Sequence, residues 1–189
     1  MSKSDPRTAA FELLVSVLHE KRPFDEALAS HRRLKGMPPR DRALARLLAA
    51  TVLRRLPELD AMIAPLLNKP LRGQARIAQN LLRLGAAQFA FLDTPAHAVV
   101  STMVNAAQSS GQRAYKGLIN AVLRRLTSET MTRAENPARM NTPDWLWDSW
   151  VGASGADPAT ASPEAHLRES APPLTLKPDP DARSTQLSP

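Results

Sequence analysis

Lys116-Gly117-Leu118-Ile119-Asn120-Ala121-Val122-Leu123-Arg124-Arg125 reads as a helix with two chemically different sides. Leu118, Ile119, Val122, Leu123 and Leu126 recur at spacings of three and four and share one apolar face. Lys116, Asn120 and Arg124 follow one another at four-residue steps and form a polar stripe beside it, with Arg125 as a further cation. A helix that buries one side and fixes cations on another suits a polyanion. The same spacing also describes a plain core helix with solvated arginines, and the stretch alone does not choose between them.

The helical period extends backwards over the chain. Asp5-Pro6 places a capping carboxylate before a proline suited to a first helical turn, and Ala10, Leu13, Leu14, Val17 and Leu18 follow. Pro23 precedes a second helix running through Phe24, Ala27, Leu28 and Leu34 to Gly36. Pro38-Pro39 opens a third, Pro57 ends it or starts a short fourth, and a fifth runs from about Gly73 to Phe91. Asp93-Thr94-Pro95 starts a sixth, with Gly111 after its end. Period-two alternation is not found, so the pattern predicts an all-α bundle of about seven helices with a leucine, alanine and valine core. Gly85 lies inside the fifth helix, where glycine costs about 1 kcal/mol, and marks a close approach of another helix.

Charge and proline divide the chain. Residues 1–133 carry 21 basic and 10 acidic side chains, whereas residues 134–189 carry 4 and 8. Nine of the 17 prolines lie in that second part. The division predicts a basic helical domain over 1–133, a proline-rich linker with short helices over 134–177 and a disordered tail over 178–189. Such a basic domain attracts nucleic acid or an anionic surface. No apolar run approaches a bilayer span and Met1–Pro6 lacks a signal-peptide core, so the expectation is a soluble cytoplasmic protein without a membrane partner. Cysteine is absent, which excludes disulfides, thiolate metal sites and a cysteine nucleophile within these 189 residues.

The cations that could meet phosphate fall into three groups. Arg7 stands alone on the opening helix. Arg32, Arg33 and Lys35 end the second helix and face Arg40, Arg42 and Arg46 across the Pro38-Pro39 turn. Arg113, Lys116, Arg124 and Arg125 form the third group. Arginine suits phosphate because its planar fork donates two parallel hydrogen bonds. Arg32, Arg33 and Lys35 are also favourable at a helix C-terminus with no ligand at all. Arg54, Arg55, Arg72 and Arg76 read as solubilising charges. Asn120 reads either as an RNA contact or as a buried amide bonding a loop carbonyl. His97 reads as a capping or packing residue, and His19, His31 and His166 have no metal-ligand spacing. Trp145, Trp147 and Trp150 read as packing against the bundle or against a further domain, with base stacking as the other use.

Three motifs carry a family resemblance. They are Asp41-Arg42-Ala43-Leu44-Ala45-Arg46 with Val52-Leu53-Arg54-Arg55, Leu82-Arg83-Leu84-Gly85-Ala86-Ala87-Gln88 leading to Phe91-Leu92-Asp93-Thr94-Pro95-Ala96-His97-Ala98, and the Lys116–Arg125 helix. Together they resemble the N-terminal NusB-like domain of the RsmB (Sun/Fmu) family, which methylates the C5 of a cytosine in ribosomal RNA. The resemblance continues through Pro143-Asp144-Trp145-Leu146 and Glu164-Ala165-His166-Leu167 to Pro172-Pro173-Leu174-Thr175-Leu176-Lys177. It implies a NusB-like fold, RNA (ribosomal) as partner, and S-adenosylmethionine as cofactor of the full-length family. The family's chemistry belongs to a C-terminal domain with a glycine-rich cofactor loop and two cysteines, and neither feature occurs here. The resemblance thus implies an RNA-binding N-terminal fragment, inactive alone, holding no cofactor itself and completed by a catalytic domain in cis. Leu174-Thr175-Leu176 would be the first strand of a small pre-catalytic domain. Competing readings are a stand-alone NusB-like antitermination factor, a helical module that docks protein, and a gene remnant without function.

Overall fold

The computed structural model describes residues 5–128, 134–154 and 167. Every regular element among them is helical: α1 Pro6–Leu18, α2 Phe24–Ser30, α3 Arg32–Lys35, α4 Pro39–Arg54, α5 Leu56–Ile63, α6 Ala75–Phe91, α7 Ala96–Ser109, α8 Lys116–Ser128, α9 Pro137–Met140 and α10 Asp144–Ser154. Two 3₁₀ turns, Ala64–Leu66 and Arg113–Tyr115, follow α5 and precede α8.

Proline and glycine set most of the boundaries. The Asp5 carboxylate accepts the Arg7 amide at 3.2 Å, so α1 begins with a capped end and with Pro6 in its first turn. The α7 helix ends in a Schellman arrangement. Gly111 takes φ +75°, open to glycine at little cost, and the Gln112 amide donates to the Ala107 carbonyl at 2.9 Å.

The stretch expected as a single second helix is instead two. His31 is extended (φ −69°, ψ 113°) between α2 and α3. At the end of α2 the Ser30 hydroxyl donates to the Glu26 carbonyl, and just beyond it His31 and Arg33 both reach Glu12 on α1. The break turns α3 so that Glu12 meets both His31 and Arg33.

The α6 helix is the centre of the bundle. Leu81, Leu82 and Leu84 are fully buried on it, and it packs on α1, α4, α5, α7 and α8. With α1 it separates α4 on one flank from the α7–α8 pair on the other. Gly85 is the point of closest approach: a Cβ there would stand 2.6 Å from Leu123 Cδ2, so only hydrogen lets α8 close on α6. Each fully buried leucine removes apolar surface worth about 1.5–3 kcal/mol from water.

The segment after residue 133 is tied to the bundle. Asn141, just beyond α9, donates from Nδ2 to Glu58 Oε2 at 3.0 Å, and its Oδ1 accepts the Glu58 amide at 3.3 Å. This pairing serves a carboxylate that is 2 % exposed and also paired with Arg55. Trp147 lies under the Arg139 guanidinium, 5.3 Å from its carbon, while Trp145 is 72 % exposed. The expectations for Leu174-Thr175-Leu176 and for 178–189 lie outside the described residues.

Candidate nucleic-acid interface

The three cationic groups have different structural fates. Arg7 is bound inward: its Nε donates to Gln88 Oε1 at 2.9 Å, joining α1 to α6 through an amide that is 1 % exposed. Arg33 is held by Glu12, Nε to Oε1 at 2.9 Å. The remainder of the second group converges. Lys35 from α3 and Arg42 and Arg46 from α4 line a groove of about 360 Å³, floored by Leu28 and Leu34. Arg42 and Arg46 stand one helical turn apart, so they project from the same side of α4. Arg32, Lys35, Arg40, Arg42 and Arg46 are exposed, and their side chains make no hydrogen bond or ion pair among the described residues.

The third group lies across the bundle at α7–α8. Arg113 is exposed and without partner among the described residues, and Lys116 Nζ donates to Gln108 Oε1 at 3.0 Å. Arg124 Nε donates to Asn120 Oδ1 at 3.1 Å, and Arg125 Nη1 donates to the Leu66 carbonyl at 3.2 Å. Asn120, Arg124 and Arg125 border a groove of about 660 Å³ whose other wall, from α7, carries His97 and Ser101 above Val100 and Val104. Asn120 is therefore neither buried nor bonded to a loop carbonyl; it is half-buried on the groove wall. His97 is exposed there, and not packed into the bundle. So the cations do not form a single patch. They form two grooves on different flanks of α1 and α6.

A third polar cluster joins α5, α6 and the residue after α1. Arg83 pairs with Asp60 through Nε and Nη2, and its Nη1 donates to Asn80 Oδ1 at 2.8 Å. With its oxygen so used, the wholly buried Asn80 donates from Nδ2 to His19 Nε2 at 3.1 Å. His19 consequently accepts as a neutral ring. Burial, then the charges of Arg83, Arg76 and Lys21, lower its pKa below the ordinary 6.5, against a small opposing effect of Glu20. Arg55 is also structural, paired with Glu58 at 3.0 Å and lying 4.1 Å over the Phe91 ring. Sequence spacing gives no sign of the partners distant in the chain, Asp60 for Arg83, His19 for Asn80 and Phe91 for Arg55.

No group of His, Asp or Glu among the described residues could hold a metal ion, and no described helix is long and apolar enough to cross a membrane.

The model of the NusB family matches residues 4–128, which span α1 to α8. The chain belongs to the NusB family. This NusB-family chain is also similar to proteins named ribosomal RNA small subunit methyltransferase B. It is 38% identical to the one from Thermus thermophilus over 161 residues, covering 82% of this chain and 37% of that protein. To that of Vibrio vulnificus it is 32% identical over 145 residues, 77% of this chain and 34% of that protein. To that of Xanthomonas campestris pv. campestris it is 36% identical over 146 residues, 77% and 31%. The chain thus spans about a third of the length of these curated relatives.

Proposed function

We propose that this chain is the RNA-binding N-terminal part of a cytosine-C5 methyltransferase acting on small-subunit ribosomal RNA in the cytoplasm. In this reading the helical domain, residues 1–133, captures the RNA and positions it, and a catalytic domain joined to it in cis transfers the methyl group from S-adenosylmethionine. The described residues contain no strand and no glycine-rich turn after one, so they do not fit that cofactor, and no step of methyl transfer is assigned to them.

One observation carries the RNA reading: Lys35, Arg42 and Arg46 converge on one groove with no acid among the described residues to neutralise them. Unpaired cations held together repel one another, and a phosphate backbone relieves that repulsion while releasing its own counterions. Arg32 and Arg40 extend the charge beyond the groove. The similarity to proteins named ribosomal RNA small subunit methyltransferase B supports the RNA class and a methyl-transfer reaction. It favours this reading over a free antitermination factor, because the match to the Thermus protein covers 161 residues and the family domain ends at 128.

The test is titration of the chain with a small-subunit ribosomal RNA hairpin at rising salt. Affinity should fall steeply and log-linearly, and Arg42→Glu with Arg46→Glu should weaken binding strongly while the far-UV circular dichroism stays unchanged. Salt-independent binding, or full binding by the charge-reversed protein, refutes the proposal.

A further inference from the structure

We infer that the groove between α7 and α8 holds one unpaired nucleotide of the bound RNA, distinct from the phosphate contacts at Lys35, Arg42 and Arg46. This rests on the RNA-binding reading above and adds a second, chemically different subsite to it.

The groove's volume of about 660 Å³ falls within the range of about 300–1,000 Å³ usual for small-ligand sites. Its floor is apolar, made of Ala96, Val100 and Val104, and gives the flat face of a base somewhere to leave water. Its α8 wall is built to donate. Asn120 Oδ1 is occupied by Arg124 Nε, which fixes the amide orientation and leaves both Nδ2 hydrogens without a partner among the described residues. The terminal nitrogens of Arg124 are likewise uncommitted. The Ser101 hydroxyl on the opposite wall gives its hydrogen to the Ala98 carbonyl and so offers a lone pair. No carboxylate among the described residues lines the groove.

These groups match one nucleotide. The floor takes the base, the Asn120 amide donates to a base carbonyl, and Arg124 takes the adjoining phosphate. A paired base cannot enter, since both its faces are stacked and its Watson–Crick edge is used. Only a bulged, looped or single-stranded nucleotide can place a face on Val100 and Val104. The Arg42 groove is different: it presents cations without a free amide and meets backbone from any RNA form.

The experiment measures fluorescence anisotropy of the 189-residue chain with two labelled RNA duplexes, identical except that one carries a single bulged uridine. The bulged duplex should bind more tightly. Asn120→Leu should remove about fivefold of that preference, the worth of about one hydrogen bond, and leave the blunt duplex unaffected. Arg42→Glu with Arg46→Glu should weaken both duplexes alike. A 4-thiouridine at the bulge should crosslink to peptides of α7 or α8, a readout that needs no variant to fold. Equal binding of both duplexes, an undiminished preference in the Asn120→Leu protein, or crosslinks confined to α2–α4 would overturn the inference while the RNA reading stands. An acidic peptide that displaces neither duplex is the expected control. One that displaces only the bulged duplex, with no crosslink at α7 or α8, would mark the groove as a protein-docking surface and overturn the inference. Failure to bind either duplex would refute the RNA reading itself.

Discussion

Arg83 grips Asp60 with two nitrogens, Nε 2.8 Å from Oδ1 and Nη2 2.7 Å from Oδ2, and so ties α6 to α5. The pair is half-sheltered, and the same guanidinium uses Nη1 to hold Asn80. A lysine has the charge without the fork. Arg83→Lys should therefore lose the second Asp60 contact and leave the oxygen of buried Asn80 unserved. The expected loss is about 1–3 kcal/mol, the cost of an unsatisfied buried polar group. Urea unfolding with an unchanged m-value would show it; a midpoint equal to that of wild type would mean the fork is not needed.

Gly85→Ala tests the closest helix contact. Alanine should gain about 1 kcal/mol of helix propensity. Its Cβ, however, meets Leu123 Cδ2 at 2.6 Å and Cδ1 at 2.8 Å, and Leu123 is fully buried with nowhere to retreat. Overpacking of this kind costs about 1–3 kcal/mol, so the net change should be destabilising. Leu123→Val in the same protein should recover part of the loss. A double-mutant cycle with a coupling of about 0.5 kcal/mol or more would confirm the contact, and strict additivity would refute it.

These two sites show what the sequence made legible. The interior position of Gly85 already signals that something packs closely against it, because a helix otherwise disfavours glycine there. Likewise Asp5-Pro6, Pro38-Pro39, Pro95 and Gly111 mark helix ends by local chemistry, and those ends are where the structure has them. Partners such as Asp60 for Arg83, Gln88 for Arg7 and Asn141 for Glu58 are set by tertiary packing and have no local signature. The break at His31 is of the same kind, since Glu12 on α1 helps to turn it. The candidate site was legible by residue type and not by grouping: periodicity puts Arg42 beside Arg46 but cannot show that α1 and α6 stand between them and Arg124.

His19 gives the fold a pH dependence of definite sign. Burial and the charges of Arg83, Arg76 and Lys21 lower its folded pKa below 6.5, the unfolded value. Between those two values the unfolded chain binds more protons, so stability rises with pH. The contribution is fully present above pH 6.5 and is lost as pH falls through the lowered folded value. Protonation would also put a hydrogen on Nε2, where Asn80 Nδ2 must donate. The gap in Tm between wild type and His19→Gln should shrink as pH is lowered from about 7.5 to about 5. A gap constant with pH would show that His19 titrates alike in both states.

The cations themselves should divide by the company they keep. Arg7 and Arg33 serve Gln88 and Glu12, so Arg7→Gln and Arg33→Gln should lower the Tm and change RNA affinity little. Arg42 and Arg46 have no partner among the described residues, so Arg42→Gln and Arg46→Gln should leave the Tm nearly as it was. Their effect should appear in RNA binding. Each lost phosphate contact reduces the slope of log affinity against log salt by about 0.7 for single strands and about 0.9 for duplex. Combining the two substitutions should reduce it about twice as far, because cations meeting separate phosphates release separate counterions. Thermal melts and salt titrations on the four single variants and the Arg42/Arg46 double variant measure both halves. A lowered Tm for Arg46→Gln, or an unchanged slope in the double variant, would place these arginines among the structural residues with Arg7.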